Sequence, residues 1–338
     1  MIKKRNLDPS LVQWIMTQTG LGPGVGELHW VAPASSATSQ FRTQLQRWGV
    51  EQNYKIHTDP IVAEAAMESY RNDVMLILPG AYNTEGDFTW SKHNSCLLSL
   101  GHPIKNWYGD GGAVTIRNLE ATDAAYGMLN TGNYCKFINT HFDNLGENAA
   151  CVCSVKDQGR DTHYHSCLIG GHVRSQQAGA AAAAAMWVDT STTAAGHGLL
   201  LKDCVIGYSG SYTRSSSNTL LLFGATGSVS AGTNVTIDNT VFNSRSKVAG
   251  CSAIKFAANN TVDRMFLIKN SAFYNFYDAN DITSTLTEVI NDDCATTHKV
   301  LVQNSHQTGW ASWEGTRNTV HLTQANAAGG SGIATVES

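Results

Sequence analysis

Charge is what this chain has least of. Only 15% of its 338 residues are Asp, Glu, Lys or Arg, and the formal net charge is −4 at pH 7. Apart from Lys3-Lys4-Arg5 no run of Lys or Arg appears, so the electrostatic footprint of a nucleic-acid binder is missing. No apolar stretch is long enough to span a bilayer. The opening "MIKKRNLDPSLVQWIMTQTG" starts basic but never reaches an uninterrupted apolar run, so no secretory leader is expected. Neither nucleic acid nor a membrane is therefore expected as a partner. The eight cysteines, at 96, 135, 151, 153, 167, 204, 251 and 294, include no Cys-x-x-Cys pair. That removes zinc-site spacing, and without an export signal they are expected to be reduced thiols, with Cys151 and Cys153 as small core residues. Long Glu/Lys/Leu-rich helical stretches are missing too.

Apolar residues make up 42% of the chain, enough for a sizeable core, and Gly, Ser, Thr and Asn are abundant, which favours an all-β class. Residues 1–35 read as an extended arm towards a neighbouring subunit. Their "TGLGPGVGELHW" resembles a phosphate-cradling loop only superficially, since no Gly-Lys-Ser/Thr follows. Residues 36–72 read as a helical cap. In "SQFRTQLQRWGV", Phe41, Leu45 and Trp48 share a face. In "TDPIVAEAAMESY", Asp59 is the expected N-cap and Pro60 the first helical residue, with Val62, Ala66 and Tyr70 as the apolar face. "NDVMLILPGAY" then reads as a buried strand ended by a turn.

From there the chain repeats itself: "VTIRNLEA", "CKFINTHF", "THYHSCLI", "LLLKDCVI", "NVTIDNTVF", "FLIKNSAF", "VLVQNSHQ". Each copy is an apolar strand, a polar bend and a second short strand. The bends are Asn118, Asn139, Ser166, Asp203, Asn239, Asn270 and Asn304, separated by 21, 27, 37, 36, 31 and 34 residues. A constant core with loops of variable length predicts a parallel β-helix over residues 73–322, its rungs about 4.8 Å apart. Ile116, Phe137, Leu201, Ile237 and Leu267, or their neighbours, are the expected interior stack. The bend side chains are expected to satisfy one another along the column. A β-sandwich would want Asn-Gly or Asp-Gly hairpins, and none of the bends has one. "AGAAAAAAMW", residues 178–187, is read as a loop excursion, and 323–338 as a terminal tail.

"NDVMLILPGAY", "FTWSKHNSCLLSLGH" and the Asn-turn coils together resemble the right-handed parallel β-helix (pectin-lyase-like) superfamily over about residues 60–322. More narrowly, "NLDPSLVQWIMTQTGLGPGVGELHW" and "CATTHKVLVQNS" resemble β-helix proteins among the virion genes of tailed bacteriophages. That resemblance implies a homotrimer in the virion, assembled in the host cytoplasm. Its partners would be the major capsid protein or other virion proteins, and its role capsid decoration or tail spike.

Catalytic signals are thin. "GHG" at 196–198 matches a tripeptide of β-helical polygalacturonases, which also need two carboxylates. Here the paired Asp292 and Asp293 follow His197 in the wrong chain order, so His197 is read as an outward residue at a glycine turn. "VKDQGRDTHYH" gathers Asp157, Arg160, Asp161, His163 and His165, a metal site only if a third ligand joins the two histidines. Trp310, Trp313, Tyr274, Phe276 and Tyr277 suit a sugar platform or, preferably, a subunit contact. No residue is assigned as catalytic, cofactor-binding or metal-binding, and no cofactor is expected. The expectation is thus a non-enzymatic, trimeric capsid decoration or cement protein. The alternative is a tail-spike-type glycan depolymerase (glycoside hydrolase or polysaccharide lyase) or receptor-binding protein, with a glycan as partner.

Overall fold

The computed structural model describes residues 26–32, 43, 55–84, 88–101, 114–118, 124–146, 151–170, 183–191, 195–207, 219–224, 232–246, 250–257, 263–275, 286–294, 299–314 and 320–322. Each circuit of the chain lays one short strand on each of three faces. The first face is an eleven-stranded sheet. It runs from Ile56–His57 and Leu28–Val31 through Val74–Ile77, Cys96–Ser99, Lys136–Ile138, His163–His165, Leu200–Lys202, Thr233–Asp238, Asp263–Lys269 and Val300–Gln303 to Val320–Leu322. The second has eight strands, from Gly80–Thr84 to His306–Thr308, and the third eight, from Phe88–Trp90 to Trp310–Glu314. The pairings are parallel throughout, which removes the sandwich alternative. No described helix is long and apolar enough to cross a membrane.

The corner between the first and second faces is made by the expected polar bends. Asn139, Ser166, Asp203, Asn239, Asn270 and Asn304 all have left-handed φ, from 46° to 58°. Asn and Asp tolerate that region because their short polar side chains bond locally. From Asn139 to Asn270 the bend N–H donates to the carbonyl of the next coil: Asn139 to His165 at 2.8 Å, Ser166 to Lys202 at 2.9 Å, Asp203 to Asp238 at 3.0 Å, Asn239 to Lys269 and Asn270 to Gln303 both at 3.0 Å. Side chains add rungs, with Asn239 Nδ2 2.6 Å from Asp203 Oδ1 and Asn304 Nδ2 3.4 Å from Asn270 Oδ1. The following residue is always small and buried: Thr140, Cys167, Cys204, Thr240, Ser271, Ser305. Its hydroxyl or thiol donates to the carbonyl two residues back, at 2.8 to 3.4 Å. A buried donor is thereby satisfied inside its own corner.

A second left-handed column opens the first-face strands: Asn94, Tyr134, Asp161, Gly198, Asn234 and Arg264. From Tyr134 to Asn139, Asp161 to Ser166, Gly198 to Asp203 and Asn234 to Asn239, the two columns stand five residues apart. The odd positions between them point inward, so Phe137, Tyr164, Leu201 and Ile237 stack in the core. Rings one rung apart meet face to face, Phe137 on Tyr164 at 4.9 Å and Phe242 on Phe273 at 4.6 Å.

Several expectations need correction. Asn118 is not a left-handed bend. It ends a second-face strand, is fully buried, accepts the Thr84 hydroxyl at 2.7 Å and donates to the Tyr126 carbonyl. Ile116 accordingly faces inward from the second sheet, beside Tyr82 and Phe142. Leu267 is half-buried, because a bulge before it turns Ile268 inward instead. Part of the expected arm, Leu28–Val31, is a strand within the first sheet. Arg71 donates to both oxygens of the buried Asp73, which also accepts the Glu27 N–H, while Lys55 pairs with Glu27. These charges tie that strand to the coil that follows. Ala184–Val188, which begins inside the Ala-rich run, forms a third-face strand. Trp310 and Trp313 are core residues of this chain rather than a sugar platform or the preferred subunit contact.

The helix Pro60–Ala66 has the expected cap, Asp59 accepting the Ile61 N–H at 2.7 Å. Its buried face, however, is Pro60, Ala63, Glu64 and Met67, whereas Val62, Ala66 and Tyr70 are exposed. Glu64 is drawn in because its carboxylate accepts from the Ser91 N–H and hydroxyl, both at 2.8 Å. Phe41, Leu45, Trp48, Phe276, Tyr277 and the 323–338 tail lie outside the described residues.

Ser166 isolates the backbone requirement, with φ at 52°. Ser166→Val should lower the unfolding free energy in urea by about 1–2 kcal/mol, the cost of a side chain in left-handed backbone. Ser166→Gly should leave it unchanged or raise it.

Candidate functional site

The stretch "VKDQGRDTHYH" straddles a corner, which sends its candidate residues three ways. Cys153–Asp157 lies on the third face and His163–His165 on the first. Asp157 turns inward. It accepts the Gly159 N–H at 2.7 Å, Asn130 Nδ2 at 2.8 Å and the Tyr164 hydroxyl at 3.1 Å. Burial pushes its carboxyl up to about 6, and its bonds are those of a side chain that makes the turn.

His163 and His165 stand on the outer surface of the first sheet, their rings 5.9 Å apart. Lys136 is in register with His163 and Lys202 with His165. Burial, then the neighbouring His163 and both lysines, hold His165 down to about 4; burial and Lys136 also lower His163. Two cations in register oppose a bound metal ion, and no group of three His, Cys, Asp or Glu suited to one occurs among the described residues.

Arg160 and Asp161 meet His197. Together with Gly198, Thr233, Asn234 and Arg264 they line a recess of about 280 Å³ at the corner between the third and first faces. Arg160 Nε donates to Asp161 Oδ2 at 3.0 Å, and the Asp161 N–H donates to the His197 carbonyl at 2.6 Å. Both glycines of Gly196-His197-Gly198 are left-handed, and a Cβ on Gly198 would sit 2.0 Å from Asp161 Oδ1. The tripeptide is therefore corner geometry that also places His197 in the recess. Asp292 and Asp293 do not join it. They close the third-face strand four rungs beyond Cys153–Asp157 and one rung beyond the coil that leads to Arg264, and neither lines the recess. There Asp292 accepts the Cys294 N–H at 2.9 Å and Asp293 pairs with Lys255 at 3.4 Å.

The third face carries a feature not singled out in the sequence. Leu129, Lys156, Trp187, Leu222, Lys255 and Asn291 stand in register on its outer side. Lys156 Nζ lies 4.2 Å from the Trp187 ring centre and 4.8 Å from that of Tyr126, whose hydroxyl is 3.2 Å away. It pairs with Asp189 Oδ2 at 2.8 Å, which also accepts from Gln158 Nε2 at 2.8 Å. Burial would drive the ammonium down, but the bonds to Asp189 and Tyr126 outweigh it and hold Lys156 above its ordinary value. Burial likewise raises Asp189, yet Lys156, Gln158 and the Ser191 N–H bring it net below the usual range. A lysine set between two half-buried rings offers apolar ring faces and a fixed cation side by side. Trp187 escaped notice because its segment read as a loop.

No family model matches the chain, and no curated protein matches it. Among solved structures, a mutant pectin methylesterase in complex with a hexasaccharide superposes with a TM-score of 0.52 at 11% identity, covering 89% of this chain and 90% of that one. The fold is a right-handed parallel β-helix. Deglycosylated pectin methylesterase from Aspergillus niger shares it less closely, with a TM-score of 0.47 at 10% identity, covering 90% and 85%. So does the ORF18 protein of Geobacillus virus E2, at 0.42 and 10%, covering 80% of this chain and 59% of that one. The first of these matches overturns the expectation of a non-enzymatic protein only at the level of the fold: the β-helix shared over 89% of this chain is one that an enzyme uses.

The Lys156–Asp189 pair, 9% and 3% exposed, should behave as a buried ion pair. Asp189→Leu alone should cost about 3–5 kcal/mol in urea unfolding, because it strands a buried cation. Adding Lys156→Met should restore most of that loss, read as a coupling in the double-mutant cycle.

Proposed function

We propose that this chain is a glycan-active protein of the tail-spike type, holding a polysaccharide along the outer side of its third face. The observation that carries this is the Tyr126–Lys156–Trp187 arrangement, with Lys156 Nζ 4.2 Å from one ring and 4.8 Å from the other. Sugar rings present C–H faces to aromatic rings and hydroxyls to fixed donors. A half-buried tryptophan beside a pinned ammonium offers both. Trp187 is itself anchored by its indole N–H, which donates to the Gly224 carbonyl at 2.5 Å.

The register extends the contact. From Leu129 to Asn291 the outward positions recur once per rung over about 24 Å; Lys156 and Leu222 are covered, and the half-exposed Leu129, Trp187, Lys255 and Asn291 are the positions spaced to meet an extended chain. Asp189 is a positioning residue in this reading, fixing Lys156 between the rings. The fold match to an enzyme solved with a hexasaccharide supports a carbohydrate ligand. The resemblance of residues 6–30 and 294–305 to phage-encoded β-helix proteins supports a virus particle as the setting.

Affinity electrophoresis through gels containing host-surface polysaccharides tests the proposal, with viscosity loss as the readout for cleavage. A retarding polysaccharide should lose about tenfold in affinity with Trp187→Ala, matching the 1–3 kcal/mol that stacked contacts supply to other ring ligands. The unfolding midpoint should fall little. Undiminished retardation of the Trp187→Ala protein would contradict this assignment of the face.

A further inference from the structure

We propose that the first end of the column is closed by an acid-sensitive latch: protonation of His57 releases the edge strand Ile56–His57 from Leu28–Val31. Ile56–His57 is the outermost strand of the eleven-stranded sheet. It pairs with Leu28–Val31 at only two positions, Ile56 with Trp30 and His57 with Val31. Both Val31 and Met75, the register partner of His29, are core residues, so His57 and His29 point into the column. The two histidines are buried, their rings stack at 5.7 Å, and His29 Nδ1 lies 3.5 Å from His57 Nε2. That gap holds a single hydrogen, donated by one nitrogen and accepted by the other. A second proton would set two N–H groups against each other and place two cations in contact away from water.

The surrounding charges decide which histidine gives way. His29 Nε2 lies 3.7 Å from Asp73 Oδ2 and 4.0 Å from Glu27 Oε2, so a positive charge on that ring meets two carboxylates. Burial raises Asp73, but His29, Arg71 and the N–H groups of Glu27 and Glu68 outweigh it and hold the carboxyl well below its usual range. The Lys55 bond likewise holds Glu27 down. Both carboxylates therefore keep their charge in mild acid. His57 has the opposite surroundings: burial, then the His29 ring, lower its affinity for a proton. The helix Pro60–Ala66 packs on both strands, yet its acidic groups are engaged elsewhere. Asp59 accepts the Ile61 N–H, Glu64 bonds Ser91, and Glu68 pairs with Arg71. Val74–Ile77, on the other side of Leu28–Val31, has no ionisable residue. His57 thus takes its proton more readily once the strand has left. The latch holds fully above about pH 7 and weakens as pH falls below 6.5, the ordinary histidine value. Release leaves the edge of Leu28–Val31 unpaired and open to another strand. No residue of the aromatic row takes part, so the latch is independent of glycan binding.

Amide exchange of the full chain at about pH 7.5 and about pH 5, with intrinsic rates divided out, tests this. The Ala32 N–H donates to the His57 carbonyl at 3.0 Å, and the Leu78 N–H donates to the Val31 carbonyl at 3.0 Å on the opposite edge of the same strand. Any loss of whole-chain stability in acid moves both amides alike, so their ratio isolates the latch. The ratio of Ala32 to Leu78 protection should fall at least about tenfold from the higher pH to the lower. His57→Gln, and His57→Phe, which retains a ring on His29, should hold the ratio constant between the two. His163→Gln, on the outer surface of the same sheet, should leave the fall as it is in the wild type. A wild-type ratio that does not change with pH, or a His57→Gln or His57→Phe ratio that falls as the wild-type ratio does, would overturn the proposal.

Discussion

One hydrogen bond, repeated, governs this molecule: the N–H of a left-handed bend residue donating to the carbonyl of the coil above it. It can form only if successive corners coincide in projection. That requirement fixes the corner backbone and leaves the loops elsewhere in each circuit free to vary in length. It also dictates chemistry. The bend must tolerate left-handed φ, which selects Asn, Asp or Ser. The next residue must be small, buried and able to satisfy its own donor, which selects Thr, Ser or Cys. The pairs Asn139-Thr140, Ser166-Cys167, Asp203-Cys204, Asn239-Thr240, Asn270-Ser271 and Asn304-Ser305 are that rule written out. Cys167 and Cys204 thus act as hydroxyl surrogates as much as small hydrophobes, their thiols donating to His165 and Lys202 carbonyls.

The same rule explains what could be read in the sequence and what could not. The first corner announces itself because its residues are chemically alike, and from it the parallel stacking follows. The second corner was invisible. Tyr134, Asp161, Gly198, Asn234 and Arg264 share a backbone conformation and nothing else. Asn118 misled in the opposite sense. It has the right side chain, but it ends a strand on another face and is buried for its amide bonds rather than for a bend. The helix cap at Asp59 was legible as local chemistry, whereas its buried face was not. Glu64 enters the interior only because Ser91, far along the chain, bonds it.

The candidate sites show a similar division. His197, Arg160 and Asp161 were each visible, yet nothing in the linear order brings Arg264 beside them; only the winding does. The "VKDQGRDTHYH" cluster looked like one constellation and is three, because a corner runs through it. Lys156 and Trp187 stand in register one rung apart, but an alanine-rich approach disguised the second strand. The non-enzymatic expectation rested on missing motifs, and a missing motif says little about side chains that converge only after several coils have been wound.

Amide hydrogen exchange measures the governing interaction directly. The side chains of Asp203, Asn239 and Asn270 are exposed, so amides in ordinary surface bends there would exchange quickly. If their N–H groups are the rungs between coils, the amides of Asp203, Asn239 and Asn270 should exchange as slowly as those of the buried strand residues Leu201, Ile237 and Ile268. Exchange at the rate of unprotected loop amides at these positions would contradict the stacked-corner account.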